Sequence, residues 1–156
     1  MSLDPGDVKI LKIIQENCRL TARQISDRTG LPVTTVFAKM KRAERQGLVK
    51  GYYAVLDAGK LGASTTAFIF ASFAYKNEEK TSSQRKVARD IAGFSEVQEA
   101  HIISGEWDIL IKVKVRDVDS VGKFVVDKLR LVKGIEKTLT CLVFESEKES
   151  TAITLL

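Results

Sequence analysis

Histidine, cysteine, proline and tryptophan are scarce in this chain of 156 residues: one His, two Cys, two Pro and one Trp. A structural zinc site draws about four Cys, His or carboxylate ligands at close spacing, and no such set is visible around His101. Nucleophile–histidine–acid chemistry would have to pass through that single imidazole, which argues against an ordinary hydrolase. Cys18 and Cys141 lie far apart, each within an apolar pattern, and read as two buried thiols in a reducing cytoplasm. No apolar run approaches the roughly 20 residues of a membrane span, and no secretory signal pattern is seen, so no membrane partner is expected. The glycines are scattered and form no phosphate loop.

What is present is an ordinary balance of 44% hydrophobic and 29% charged residues, with length for one domain or two small ones. The charge is unevenly placed. Of 25 basic and 20 acidic residues, the first fifty positions hold ten and five, which accounts for the whole net charge of +5. Such a partition predicts two modules, the basic one facing a polyanion.

Residues 4–50 read as three helices. Asp4 is an N-cap followed by Pro5 at the first helical position, and Ile10, Leu11, Ile14 and Cys18 form an apolar stripe. Thr21 and Gln24 have capping-box spacing, and Gly30 suits a left-handed helix end. Leu31 and Pro32 restart the chain into a third helix over 32–46, with Val36, Met40 and Ala43 inward. From 49 onward the period changes. Residues 49–56 read as a strand that serves as a linker or a wing, and residues 59–62 as the linker's end. Strands follow over 65–75, 97–103, 109–115 and 135–144, and helices over 82–92 and 118–131. In the last strand Ile135, Lys137, Leu139, Cys141 and Val143 alternate with Glu136, Thr138 and Thr140, and residues 153–156 are candidates for an edge strand. The fold class expected is α+β: a helix-turn-helix over 1–50, a linker over 51–62, and a ferredoxin-like βαββαβ domain over 63–156.

Two helices split by a glycine turn and preceded by a packing helix give the helix-turn-helix outline. The third helix then carries recognition. Val33, Thr34, Thr35, Phe37 and Ala38 are small or apolar groups suited to base edges, and Lys39, Lys41, Arg42 and Arg45 reach phosphates or guanine. Double-stranded DNA is the expected partner.

The run Asp7-Val8-Lys9-Ile10-Leu11, the segment from Gln15 to Arg19, then Ile25-Ser26-Asp27-Arg28-Thr29-Gly30-Leu31, Gly47-Leu48-Val49-Lys50-Gly51-Tyr52 and Leu61-Gly62 together resemble the leucine-responsive (Lrp/AsnC, or feast/famine) regulator family. The resemblance covers almost the whole chain. Ser26, Pro32 and Ala43 stand where the family usually has Ala, a capping Ser and Leu. It implies a winged-helix-like DNA-binding module joined to an ACT-like (RAM) sensing domain, with a regulator working in the cytoplasm at the nucleoid.

The hairpin Ser104-Gly105-Glu106-Trp107-Asp108 is the most informative part of the second module. Gly105 can take positive φ and leave backbone N–H groups for a carboxylate, while Asp108 can accept from an ammonium; a glycine here serves a plain turn equally well. The family has a Gly-x-x-Asp element at this hairpin, matched by Gly105 and Asp108, and binds its effector amino acid there between dimers. Thr138 and Thr140 resemble family positions near that pocket. No cofactor is expected beyond such an effector. A ferredoxin-like sheet has helices on one face only, so the other, carrying some of Phe68, Phe70, Ile102 and Leu110, needs a cover. A second copy would supply it as a C2 dimer. The resemblance implies even-numbered assemblies of such dimers, and two recognition helices imply a pseudo-palindromic DNA site. The second module's carboxylates Asp90, Glu96, Glu99, Glu106, Asp108 and Asp117 form no general acid–base pair, so an enzyme is not expected. The alternative is an amino-acid-binding regulatory subunit of a metabolic enzyme, against which the basic helical module argues.

Overall fold

The helices of the first fifty residues start where side chains can cap them. In the structure, a computed structural model that describes residues 3–74 and 83–155, α1 spans Pro5–Glu16, and Asp4 and Asp7 form a reciprocal capping box across its first turn. Helix α2, Ala22–Thr29, has the same device in Thr21 and Gln24, and it ends on Gly30 at φ 72°. Helix α3, Val33–Arg45, starts after Pro32, which has no side chain to cap it. Ile10, Leu11, Ile14, Ile25, Val36 and Ala43 close the core of this module, as the 3.6-residue spacing predicts.

Two expectations for the flanks of this module are corrected. Residues 49–56 form no strand. Val49 packs on the helical core, but Tyr53, Val55 and Leu56 stand in solvent, Val55 at 97% exposure, and they pair with no described strand. The edge strand expected over 153–156 is also missing from its described part. Instead the backbone of Ile153 exchanges hydrogen bonds with the Gln15 side chain, at 2.8 and 3.2 Å, and Leu155 packs against the helical core. The chain thus divides into two compact units, Met1–Val55 with Lys148–Leu156, and Leu56–Glu147. The second unit stops short of the expected 156, because the tail's apolar residues find a partner on α1 rather than on the sheet.

The second unit is a four-stranded antiparallel sheet in the order β2-β3-β1-β4, made of β1 Thr65–Phe73, β2 Val97–Ile102, β3 Ile109–Val115 and β4 Ile135–Leu142. Helix α4, Gln84–Ala92, is capped by Ser83, and α5, Val118–Lys123, by Asp117. The expected ends at Tyr75 and Ser82 lie outside the described residues. Ala67, Ile69, Ala71 and Phe73 of β1 and Ile109, Ile111, Val113 and Val115 of β3 face the helices as a dry layer. The helix expected over 118–131 is α-helical only to Lys123; a π-helical turn, Phe124–Lys128, and a 3₁₀ turn, Leu129–Leu131, complete it. A widened turn advances fewer degrees per residue, which keeps Leu129 over the same face as Val121 and Val125.

Strand β4 departs from simple alternation. The register breaks between Ala71 and Phe73, so Ile135 and Leu142, which are seven residues apart, both pack on the core. Thr138 and Thr140 lie opposite Ala71 and Ile69 on the helix-side row, whereas Leu139 and Cys141 lie opposite Phe70 and Phe68 on the open row. Cys141 is therefore exposed, not buried, and Cys18 is half-buried. Ile102 pairs with buried Ile109 and so belongs to the helix side, leaving Phe68, Phe70 and Leu110 as the open-face residues among those expected there.

Deleting residues 148–156 is expected to destabilise the helical unit by about 1–3 kcal/mol, through lost burial of Leu155 and the lost pair to Gln15. Thermal unfolding followed at 222 nm checks this; an unchanged midpoint would show that the tail merely rests on α1.

Candidate nucleic-acid interface

Helix α3 has one buried and one open side because its apolar residues recur at Val36, Met40 and Ala43. The residues between them face out. Thr34 and Ala38 are exposed, Thr35 is half-buried, and Phe37 is 58% exposed. Thr34, Thr35, Ala38, Lys39, Arg42 and Arg45 line one open groove along the helix. An aromatic ring held in water at this position costs solvation, and part of that cost is offset by Lys41, whose Nζ lies 5.9 Å from the Phe37 ring centre.

The four cations of α3 differ in what they already hold. Asp7, buried on α1, accepts from Arg42 Nη2 at 2.7 and 2.6 Å and from Lys39 Nζ at 3.1 Å. Lys39 Nζ also donates to Asp4. That bond, with the Asp7 N–H, holds the Asp4 carboxyl down at about 2 and pushes the Lys39 ammonium up. Lys41 pairs with Glu44 at 2.8 Å, and Glu44 also accepts from the Tyr52 hydroxyl at 3.1 Å. The two bonds keep Glu44 below the usual carboxylate range. Arg45 has no ion-pair partner among the described residues. The sequence reading treated all four cations alike. It missed Asp7, which carried no signal beyond its capping-box spacing from Asp4.

In the second unit the hairpin has the expected backbone. Gly105 sits at φ 123°, with open space where a Cβ would stand. The hairpin is closed by Ile103 N–H to Asp108 O at 2.9 Å, and the N–H groups of Ser104, Gly105, Glu106 and Trp107 bond no other described residue. The Asp108 carboxylate is not idle: Oδ2 accepts the Phe73 N–H at 2.7 Å, and Oδ1 accepts Gln84 Nε2 at 3.2 Å. Trp107 packs its ring 6.3 Å from that of Phe70. Thr138 lies 3.4 Å from Arg130 Nε through its hydroxyl. His101 is exposed and bonds Glu99, which also takes Lys112 at 3.2 Å. Among the described residues no cluster of His, Cys and carboxylates could hold a metal, and no helix is long and apolar enough to cross a membrane.

Residues 66–153 match the model of the Lrp/AsnC ligand binding domain, and residues 3–50 match that of a winged helix-turn-helix DNA-binding domain. The chain belongs to the Lrp/AsnC family. This Lrp/AsnC protein is 36% identical to an uncharacterised HTH-type transcriptional regulator of Pyrococcus abyssi over 147 residues, 94% of this chain and 96% of that one. It is 32% identical to the proline dehydrogenase transcriptional activator of Rhizobium radiobacter over 148 residues, 95% and 93% of the two chains. A solved transcriptional regulator from Neisseria meningitidis, in complex with L-Met, superposes with a TM-score of 0.89 at 28% identity, covering 98% of this chain and 97% of that one. Escherichia coli AsnC shares the fold, with a TM-score of 0.85 at 21% identity and 97% and 99% coverage. As an Lrp/AsnC member the protein is a DNA-binding transcriptional regulator and not an enzyme. The alternative of an enzyme's regulatory subunit gives way to it.

The Asp4–Lys39 pair sets an acid dependence. With its folded pKa near 2 against an ordinary 3.8, the Asp4 carboxylate stabilises the fold fully above about pH 4. Between about pH 4 and 2 the unfolded chain takes up the proton first, and the contribution is lost. The unfolding temperature of the wild type is expected to fall more steeply across this window than that of Asp4→Asn. Parallel curves would mean that the pair does not hold in solution.

Proposed function

We propose that α3 is the DNA recognition helix, with Thr34, Thr35, Phe37 and Ala38 at base edges and Lys39, Lys41, Arg42 and Arg45 at phosphates or guanine. The observation that carries this is the groove on α3, which gathers two threonines, a methyl group and three cations on one open face. The charge partition supports it, since the whole net charge of +5 lies in the first fifty residues. Arg45, without an ion-pair partner among the described residues, supplies a phosphate contact that needs no rearrangement, and Lys41 supplies one by leaving Glu44. Arg45→Ala and Lys41→Ala should each weaken binding to all duplexes and reduce the salt slope by about one unit. Thr34→Ala should act on the preferred site alone, by about 1 kcal/mol or more. Mobility shift of a selected site and a scrambled duplex, at two salt concentrations, measures both. Unchanged affinity in all three variants would remove α3 from the interface.

The same reading extends to a regulator that works as a homodimer, gathers into even-numbered assemblies, and answers to a small amino acid. The open sheet face supports the dimer: Phe68, Phe70, Leu110, Leu139 and Cys141 share it, Leu139 being exposed. Two recognition helices then call for a pseudo-palindromic site, with half-sites about 34 Å apart or a multiple of it. The effector site is placed at the hairpin of Ser104, Gly105, Glu106, Trp107 and Asp108, with Thr138 and Thr140 as outlying members. Four backbone N–H groups without a described partner suit a carboxylate, and Asp108, which accepts from Phe73 and Gln84, supplies the negative charge that an ammonium calls for. The L-Met held by the Neisseria relative is consistent with an amino acid here.

Asp108→Asn keeps an oxygen for the Phe73 N–H and removes the charge. It is expected to weaken effector binding by about 1.5–3 kcal/mol, and Gly105→Ala to weaken it by straining the turn. Calorimetry with each natural amino acid, followed by light scattering, reads both binding and assembly. Heat that survives both substitutions moves the site elsewhere. No heat with any amino acid returns the hairpin to a turn.

A further inference from the structure

Lys39 and Arg42 face two ways. Both line the open groove of α3, and both line the concavity between α1 and α3 that holds Asp7. Their anions are not equivalent. Asp7 is buried and engaged by Arg42 through both of its oxygens, so releasing it would strand a charge out of water. Asp4 is different: its carboxylate is 49% exposed, and water can take over if its partner leaves. Its hydrogen-bonded partner is Lys39, a point charge on a flexible four-carbon stem that also donates to Asp7 at 3.1 Å, whereas Arg42, a planar fork, lies 3.7 Å from Asp4 and keeps its hydrogen bonds on Asp7. Lys39 is only 16% exposed while it lies against these acids, so the position it would take toward a phosphate is one it does not hold in the free protein.

We propose that Asp4 is a specificity-determining residue: its carboxylate competes with the DNA backbone for Lys39 and so withholds one phosphate contact from non-specific binding. The inference rests on α3 being the DNA-contacting helix. An encounter with arbitrary DNA must exchange the Asp4 pair for a phosphate pair, a swap of like for like with little net gain. Lys41 is paired only with Glu44 of its own helix and Arg45 has no ion-pair partner among the described residues, and these two carry the non-specific affinity. Where base contacts on Thr34, Thr35 and Ala38 hold the helix in the groove, the exchange becomes part of a larger favourable set. The acid therefore lowers non-specific affinity more than specific affinity, which is negative selection built from one exposed carboxylate.

The test uses the full chain and the substitution Asp4→Asn. Asparagine caps a helix about as well as aspartate, so the helix start survives while the charge goes. Asp4→Ser does the same with a different side chain and stands in should the first variant lose helix content by circular dichroism. The probe is a random-sequence duplex titrated from low to moderate salt. With Asp4 neutral, Lys39 keeps only its 3.1 Å bond to Asp7, an acid that Arg42 continues to hold, and turning Lys39 toward a phosphate is expected to steepen the log–log salt dependence by about 0.9 per recognition helix engaged and to tighten binding roughly five- to tenfold at about 0.1 M salt. Lys39→Gln added to Asp4→Asn should return the slope to the wild-type value. An unchanged slope on the random duplex in folded Asp4→Asn overturns the proposal, and so does an equal tightening on a selected site titrated beside it. So does a steepening that survives in the double variant, because the gain would then come from removing a negative charge near DNA and not from freeing Lys39. Lys41→Ala and Arg45→Ala run in the same series separate this failure from the other one: if they too leave binding untouched, the α3 reading itself has failed.

Discussion

Asp7 is a carboxylate with almost no access to water, lodged between the first helix and the third, and two cations of the third helix close on it. Burying an anion without partners is costly, so the geometry of α3 against α1 is constrained to whatever keeps Arg42 and Lys39 within reach. The six-residue apolar core of this module sets the distance between the helices but is non-directional. The ion cluster adds the direction, fixing the rotation of α3 about its axis. That rotation decides which side chains reach the open groove. A core of alanine, valine, isoleucine and leucine would tolerate several rotations of the helix; one buried acid tolerates few.

The elements with strong local signals were readable from the chain. Asp4, Pro5, Thr21, Gln24 and Gly30 stop and start helices through bonds within three or four residues, and all five occupy the expected places. The alternation of β3 and the β-branched and aromatic content of β1 likewise marked them as strands. What escaped depends on partners distant in sequence. Arg42 meets Asp7 across 35 residues, and Gln15 meets Ile153 across 138. Nothing in the spacing of a lone Asp or Gln announces such a partner. Strand β4 misled for a related reason: its alternation is intact locally, but the break opposite Ala71 and Phe73 resets which side faces the core. Residues 49–56 have the composition of a strand, yet composition cannot supply the second strand that a ladder needs. At the hairpin the turn glycine was legible, while the double use of Asp108 as a clamp on Phe73 and Gln84 was not.

That clamp changes how the hairpin should be understood. Asp108 receives the N–H of Phe73, where β1 ends, and the side chain of Gln84, where α4 begins. A group that binds this carboxylate would therefore act on the end of one strand and the start of one helix together. Gln84 is the softer partner, at 3.2 Å from a neutral amide, and the Phe73 N–H the firmer, at 2.7 Å from the backbone. The hairpin is thus joined to the end of β1 and the start of α4 through its acid, and open to solvent at its glycine.

The chain's connectivity carries the same theme to the scale of whole units. The sheet unit is inserted in sequence between two parts of the helical unit, which the chain leaves at Val55 and re-enters at Lys148. The helical unit has few buried residues, and small cores are marginal because so little of their surface is withdrawn from water. Its tail segment, through Leu155 and the Gln15 pair, is a sizeable fraction of what it has. Both covalent connections therefore matter to it, where a terminal module on a single linker would feel only one. The acid that orients α3 and the amide that holds the tail are two turns apart on one helix, so both ends of this unit's chain are anchored on α1.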